Sequence, residues 1–120
     1  MNKTTLVLGA SLKANRYSNY AIQRLVAKGH DVVAFGLIKG KVSGVNIDTE
    51  LLPYKDVDTI TLYLNPKRQR DYYDYIISLN PERVIFNPGT ENPELYTILK
   101  ENNIFFEASC TLVLLSTNQN

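Results

Sequence analysis

Short, almost uninterrupted apolar runs alternate along this chain with stretches of helical spacing, and that alternation leaves few folds open. Leu6-Val7-Leu8 is an apolar run stopped by Gly9. From Ser18 to Lys28 the pattern changes: Tyr20-Ala21 and Leu25-Val26 recur at helical spacing, and Gly29 supplies the C-terminal stop. Asp31 to Phe35 follows as a second strand, Thr59 to Leu64 as a third, Arg83 to Phe86 as a fourth and Ile104 to Ala108 as a fifth. Helices are predicted from Asn65-Pro66 to about Leu79, and from Asn92-Pro93-Glu94 to the Asn102-Asn103 pair. Strand, helix, strand in that order is a parallel crossover, nearly always right-handed. The runs Leu6–Leu8, Ile60–Leu64 and Val84–Phe86 are apolar on both faces, as a sheet covered by helices on two sides requires. The fold class is therefore α/β: one doubly wound domain with a five-stranded parallel sheet, order 3-2-1-4-5. Gly36 to Pro53 reads as a loop with short strand fragments, and an apolar run, Thr111 to Leu115, follows Cys110.

Four of the five prolines follow asparagine, at Asn65-Pro66, Asn80-Pro81, Asn87-Pro88 and Asn92-Pro93. The first and last sit where Asn would cap a helix and Pro would occupy its first turn. The other two fall in the turn before the fourth strand and the loop after it. Because proline disfavours helical geometry in the residue before it, these pairs punctuate the elements.

A chain of 120 residues suits one domain, and 44% hydrophobic residues supply a core without disulfide or metal staples. The net charge of +1 gives no global attraction to nucleic acid or to a membrane, so any phosphate site must be local. A single cysteine, Cys110, excludes an internal disulfide, and a single histidine, His30, excludes a histidine-pair metal site. The opening stretch Met1–Leu8 lacks the apolar region of a signal peptide, and no run reaches membrane-spanning length. A cytoplasmic protein is expected, with no nucleic-acid or membrane partner.

In doubly wound sheets, ligands bind beyond the carboxyl ends of the strands where the order reverses. That rule brings together the Gly9–Ser18 loop, Asn65 and the loop Asn87-Pro88-Gly89-Thr90. In the first loop, Gly9, Ala10 and Ser11 form a small-residue turn leading into a helix, which can turn backbone N–H groups onto a phosphate. Lys13 and Arg16 add charge there, and Ser18 is a candidate N-cap. The same residues also satisfy an ordinary turn. The G-x-G-x-x-G dinucleotide pattern fails, since Ser11 and Ala14 stand at its second and third glycine positions. The acidic residue that would hold a ribose at the end of strand two is missing as well, because that strand ends in Phe35-Gly36.

Lys39 and Lys41 follow strand two among three glycines. They suit a phosphorylated ribose such as the 3′-phosphate of coenzyme A, or are solvated surface lysines. Glu91 is a lone acid beside a helix N-terminus, where a dipole contact explains it. The tyrosines of Tyr72-Tyr73-Asp74-Tyr75 read as amphipathic packing or as a dimer surface. Cys110 reads as a small buried hydrophobe, and His30 lies at the amino end of the sheet.

Val7-Leu8-Gly9-Ala10-Ser11 with Asn15-Arg16-Tyr17-Ser18, then Arg83-Val84-Ile85-Phe86-Asn87-Pro88-Gly89-Thr90, then Ala108-Ser109-Cys110-Thr111 resemble the small stand-alone CoA-binding domain proteins. Those are similar in turn to the N-terminal domain of the succinyl-CoA synthetase α subunit. The resemblance spans nearly the whole chain and implies a Rossmann-like fold, with coenzyme A or an acyl-CoA lying across the carboxyl edge of the sheet. By it, Gly9, Ala10 and Ser11 with Arg16, Tyr17 and Ser18 would take the phosphates and nearby ribose. Lys39 and Lys41 would meet the adenosine end, while Leu64, Asn65, Asn87, Pro88, Gly89 and Thr90 would line the pantetheine path. This chain departs from the pattern after strand two, where Phe35-Gly36-Leu37-Ile38 replaces a proline-containing stretch. The synthetase's phosphohistidine belongs to a domain outside the resemblance, so its ligase activity is not implied.

No carboxylate pair, no nucleophile with its base and no metal cluster emerges from the residues, which favours binding over catalysis. The leading expectation is a CoA or acyl-CoA binding module acting with another protein. An NAD(P)-dependent reductase domain and a ligand-free domain that dimerises through its tyrosine-rich helix are the rivals. A phospho-acceptor receiver fits poorly, because strand three ends in Tyr63-Leu64-Asn65 rather than an aspartate.

Overall fold

The computed structural model describes residues 3–118; Met1 and Asn2 of the opening stretch lie outside it, as do the last two residues. Along the chain run β1 (Thr4–Ala10), α1 (Tyr17–Ala27), β2 (Asp31–Gly36), β3 (Gly40–Val42), β4 (Val45–Asp48), β5 (Val57–Leu62) and α2 (Pro66–Gln69). A 3-10 turn (Arg70–Tyr72) then leads to α3 (Tyr73–Leu79), β6 (Arg83–Phe86), α4 (Pro93–Glu101), β7 (Phe105–Ala108) and α5 (Thr111–Ser116).

The strands form one sheet in the order β3-β4-β2-β1-β5-β6-β7, parallel throughout except for β3 against β4. This corrects the five-stranded expectation in two ways. The stretch after β2 is not a loop with fragments but a hairpin, closed by Ser43 and Gly44 at φ +50 and +80. Two consecutive positive φ values are what a two-residue turn needs to match strand twist. Its second strand, β4, pairs in parallel with β2 and takes the outer place expected for Thr59–Leu64. That segment, β5, lies instead on the other side, directly beside β1. Counting only parallel strands, the order is 3-2-1-4-5-6 with β4 as the third. The shape of the expected order survives, shifted by one strand.

Alternation along the strands divides the core into two layers. Leu6 and Leu8 of β1 pack with Ile60, Leu62, Val84 and Phe86 beneath Ile76 of α3 and Leu95 and Leu99 of α4. Val7, between them, faces the other way with Ala34 and Ile47, beneath Ile22 and Leu25 of α1 and Leu115 of α5. Helix α1 earns its place by spacing: Ser18, Ala21, Ile22 and Leu25 are buried along one stripe.

The asparagines account for several element ends. Asn65 and Asn92 cap α2 and α4, accepting from the Arg68 and Leu95 N–H groups at 2.9 and 3.4 Å. Asn80 ends α3 in the left-handed region, φ +46, which Asn tolerates better than most residues. The single helix expected from Pro66 to Leu79 is broken at the 3-10 turn. Side chains three apart eclipse one another in that tighter geometry, and here Gln69 and Tyr72 both turn inward.

Candidate functional site

The carboxyl ends of β2, β1, β5 and β6 open into a cleft of ≈ 780 Å³. Its floor is built where backbones approach too closely for side chains. A Cβ on Gly36, the last residue of β2, would stand 2.3 Å from the Ala10 carbonyl oxygen. A Cβ on Gly9, which also holds φ +102, would meet the Tyr63 backbone at 3.0 Å. These glycines let the ends of β1, β2 and β5 converge.

The loop after β1 is held by its own helix. Asn19, buried in the first turn of α1, donates to the Ser11 carbonyl at 3.0 Å. The Ser11 hydroxyl accepts from the Lys13 N–H at 3.1 Å. Ser18 is not the N-cap expected of it: Arg16 holds that position, with no side-chain cap, and Ser18 is buried inside the first turn. Among the described residues no group accepts from the N–H of Tyr17 or Ser18, and the first turn holds no acidic residue. An uncapped helix start facing a cleft, with Lys13 and Arg16 beside it, favours an anion.

The opposite wall comes from α2 and the 3-10 turn, which present Arg68, Asp71 and Tyr72. One fully buried side chain holds this wall in place. Gln69 donates from Nε2 to the carbonyls of Leu64 and Thr90, both at 2.8 Å, and its Oε1 accepts from Asn92 Nδ2 at 2.9 Å. Gln69 thus ties the loop after β5 to the loop after β6 and to the cap of α4. In that second loop Gly89 holds φ +92 with open space around its α-carbon. Its N–H donates to the Glu91 carboxylate at 2.9 Å, so Glu91 closes a turn.

Of the residues expected at a ligand, Gly9, Ala10, Ser11, Arg16, Tyr17, Ser18, Leu64, Asn65, Pro88, Gly89 and Thr90 line the cleft. Asn87 does not. It is buried and pins the sheet to α5, donating to the Thr61 hydroxyl and the Leu62 carbonyl and accepting from the Thr111 N–H, at 2.7, 2.8 and 2.9 Å. Lys39 and Lys41 do not line it either; both are exposed, Lys39 between β2 and β3 and Lys41 within β3. The lip at the end of β2 is made instead by Leu37 and Ile38, 65% and 66% exposed, and Leu12, which packs over Gly40, also lines the cleft. Sequence reasoning marked Leu37-Ile38 as a departure from the family pattern but gave this end of the site to the lysines, and it passed over Arg68, Asp71 and Tyr72. The helix opening at Asn65-Pro66 was the signal for these three, since a helix begun at the edge of the cleft carries its first turns along it.

The remaining candidates fall elsewhere. Cys110 is half-buried at the N-cap of α5 rather than in the core. Tyr63 lines the cleft, and burial pushes its hydroxyl up to about 12. Tyr72, Tyr73 and Tyr75 are all half-buried against the core, as amphipathic packing requires. His30 lies with Lys3, Asp58, Glu82 and Arg83 around a pocket of ≈ 300 Å³ at the amino edge of the sheet. Its charges are matched internally: Lys3 pairs with Asp58 at 3.6 Å and Arg83 with Glu107 at 3.7 Å. Among the described residues no group of three or more His, Cys, Asp or Glu side chains could hold a metal ion, and no helix is long and apolar enough to cross a membrane.

The family model for the CoA binding domain matches residues 3–116. A crystal structure of an uncharacterized protein is 49% identical, with a TM-score of 0.96 over 100% of this chain and 99% of that one. A protein from Thermus thermophilus, 24% identical, shares the fold with a TM-score of 0.86 over 99% of this chain and 91% of its own. An oxidoreductase from Bacillus cereus, at 18% identity and a TM-score of 0.60, matches 88% of this chain with 34% of its own, which shows a common fold alone. No curated protein matches. With the Rossmann-like sheet, the carboxyl-edge cleft and a family match running nearly end to end, the chain belongs to the CoA binding domain family.

Proposed function

We propose that this protein binds coenzyme A, or an acyl-CoA, in the carboxyl-edge cleft and acts as a non-catalytic binding module, read by a protein partner. The observation that carries the reading is the charge of the cleft. Lys13, Arg16 and Arg68 face it against one carboxylate, Asp71, in a chain whose net charge is only +1. Three cations gathered with an uncapped helix start suit a ligand bearing several phosphates. The ≈ 780 Å³ of space falls within the range of about 300–1,000 Å³ that cofactor sites occupy. In this reading the pyrophosphate lies at the start of α1, and the pantetheine arm runs past Leu64 and Asn65 toward Pro88, Gly89 and Thr90. An NAD(P) site is disfavoured by Gly36, since the end of β2 has no room there for the ribose-binding acid. Catalysis is disfavoured too. Neither Cys110 nor His30 lines the cleft, and burial of the Tyr63 hydroxyl, which raises its pKa, makes it a poor base.

Thermal unfolding tests this reading. A ligand at about 100 times its Kd stabilises a protein by about 2.7 kcal/mol, or about 10 °C for a domain of this size. Millimolar CoA is expected to raise Tm by several degrees, with NAD and NADP leaving it unchanged. A shift with NAD(P) and none with CoA would transfer the site to the reductase reading. No shift with any nucleotide would favour the ligand-free reading.

A further inference from the structure

We infer that Arg68 grips the phosphate on the ligand's ribose, the 3′-phosphate of a CoA-type nucleotide, in place of the lysines that follow β2. This deepens the reading above and rests on it. The lysines are poorly placed for the task. Lys41 sits in β3 opposite Asn46, exposed, and does not line the cleft. Lys39 stands outside the cleft, and the lip between it and the site is apolar Leu37 and Ile38. Without another donor, a doubly charged phosphate at this end of the ligand would meet hydrocarbon.

Arg68 is the cation that the cleft wall supplies instead. Its backbone is fixed by the cap from Asn65, while its guanidinium is exposed and has no protein partner among the described residues. Arg68, Asp71 and Tyr72 share one face of the α2 and 3-10 segment, three and four residues apart. Tyr72 marks where that face leads. Its ring packs edge-on against Phe35 at the end of β2, with centroids 5.4 Å apart. The end of β2 is where a nucleoside lies in a doubly wound fold, so Arg68 stands one helical turn from it. It also stands across the cleft from Lys13 and Arg16, which with the α1 N–H groups already serve the pyrophosphate. A guanidinium fork offers two parallel N–H bonds to a phosphate, a geometry no lysine matches.

The experiment is a titration of CoA and 3′-dephospho-CoA into the wild type, Arg68→Ala, Arg68→Lys and the double variant Lys39→Ala/Lys41→Ala. Charge-assisted bonds to a phosphate predict that the wild type prefers CoA by about tenfold or more. Arg68→Ala is expected to bring that ratio close to one by weakening CoA alone, and Arg68→Lys to restore part of it. The double lysine variant is expected to keep the wild-type ratio. A ratio unchanged in Arg68→Ala overturns the inference, as does an equal loss for both ligands, which would assign Arg68 to the pyrophosphate. Failure of both nucleotides to bind the wild type would instead remove the CoA reading itself.

Discussion

Gly36 and Gln69 show how single residues make this cleft, one by having no side chain and the other by having a fully engaged one. A methyl group at Gly36 would stand 2.3 Å from a backbone oxygen, so the ends of β1 and β2 must separate to admit it. Gly36→Ala is expected to lose about 1–3 kcal/mol of stability, read as a lower urea midpoint at unchanged slope. Gln69→Leu roughly keeps the volume and removes every side-chain hydrogen bond that Gln69 makes. It leaves the Leu64 and Thr90 carbonyls and the Asn92 amide short of partners in a buried setting. A loss of about 2–4 kcal/mol is expected from the same urea series; a loss below about 1 kcal/mol would mean that water replaces the side chain. Gly9 was legible because a glycine ending an apolar run announces a turn. Gln69 was not, since a glutamine near a helix start carries no mark of burial until the loops it joins are known to be neighbours. The second role of Asn87 was hidden for the same reason: beside a proline it reads as turn chemistry, which its carbonyl does supply to Thr90, while its amide also joins β5 to α5.

Among the elements, those with long apolar runs or clear caps were readable, and those built from small pieces were not. β3 and β4 are three and four residues long, too short for alternation to stand out, and no helix separates β4 from β2. The crossover from β4 to β5 is likewise made without a helix. Residues 49–56 cover that part of the sheet, anchored where the Tyr54 hydroxyl donates to Asp48 and the Tyr75 hydroxyl to the Leu52 carbonyl. Caps, by contrast, were visible in the Asn-Pro pairs, and their depth now separates them. Asn65→Ala removes an exposed cap and is expected to cost about 1 kcal/mol. Asn92→Ala is expected to cost more than Asn65→Ala by at least about 1 kcal/mol. Its Nδ2 also serves Gln69 Oε1 and the Tyr73 hydroxyl, at 2.9 and 2.8 Å. Equal losses in paired urea titrations would show that the cap alone matters at both sites.

At the scale of the whole molecule, the fold gathers cleft-lining cations at the carboxyl edge and pairs its charges at the amino edge. A chain whose net charge is only +1 thereby gathers Lys13, Arg16 and Arg68 around one cleft, a local excess that composition alone could not reveal. Burial of tyrosine makes stability depend on pH on the alkaline side. Burial raises the Tyr63 hydroxyl, and that of Tyr75, to about 12 from the ordinary 10.0. Between those values the folded protein keeps protons that the unfolded chain has lost, so stability is fully present below pH 10 and falls as pH rises toward 12. Tyr63→Phe is expected to make that fall shallower, as measured by urea unfolding at stepped pH; an identical slope would mean that Tyr63 ionises alike in both states.

Isothermal titration of the purified protein with CoA reads out directly whether the carboxyl-edge cleft takes coenzyme A. Saturable binding of one CoA per chain is predicted, weakened by Arg16→Ala and strongly reduced by raised salt. No heat at millimolar CoA, or binding that ignores both changes, would contradict the CoA reading.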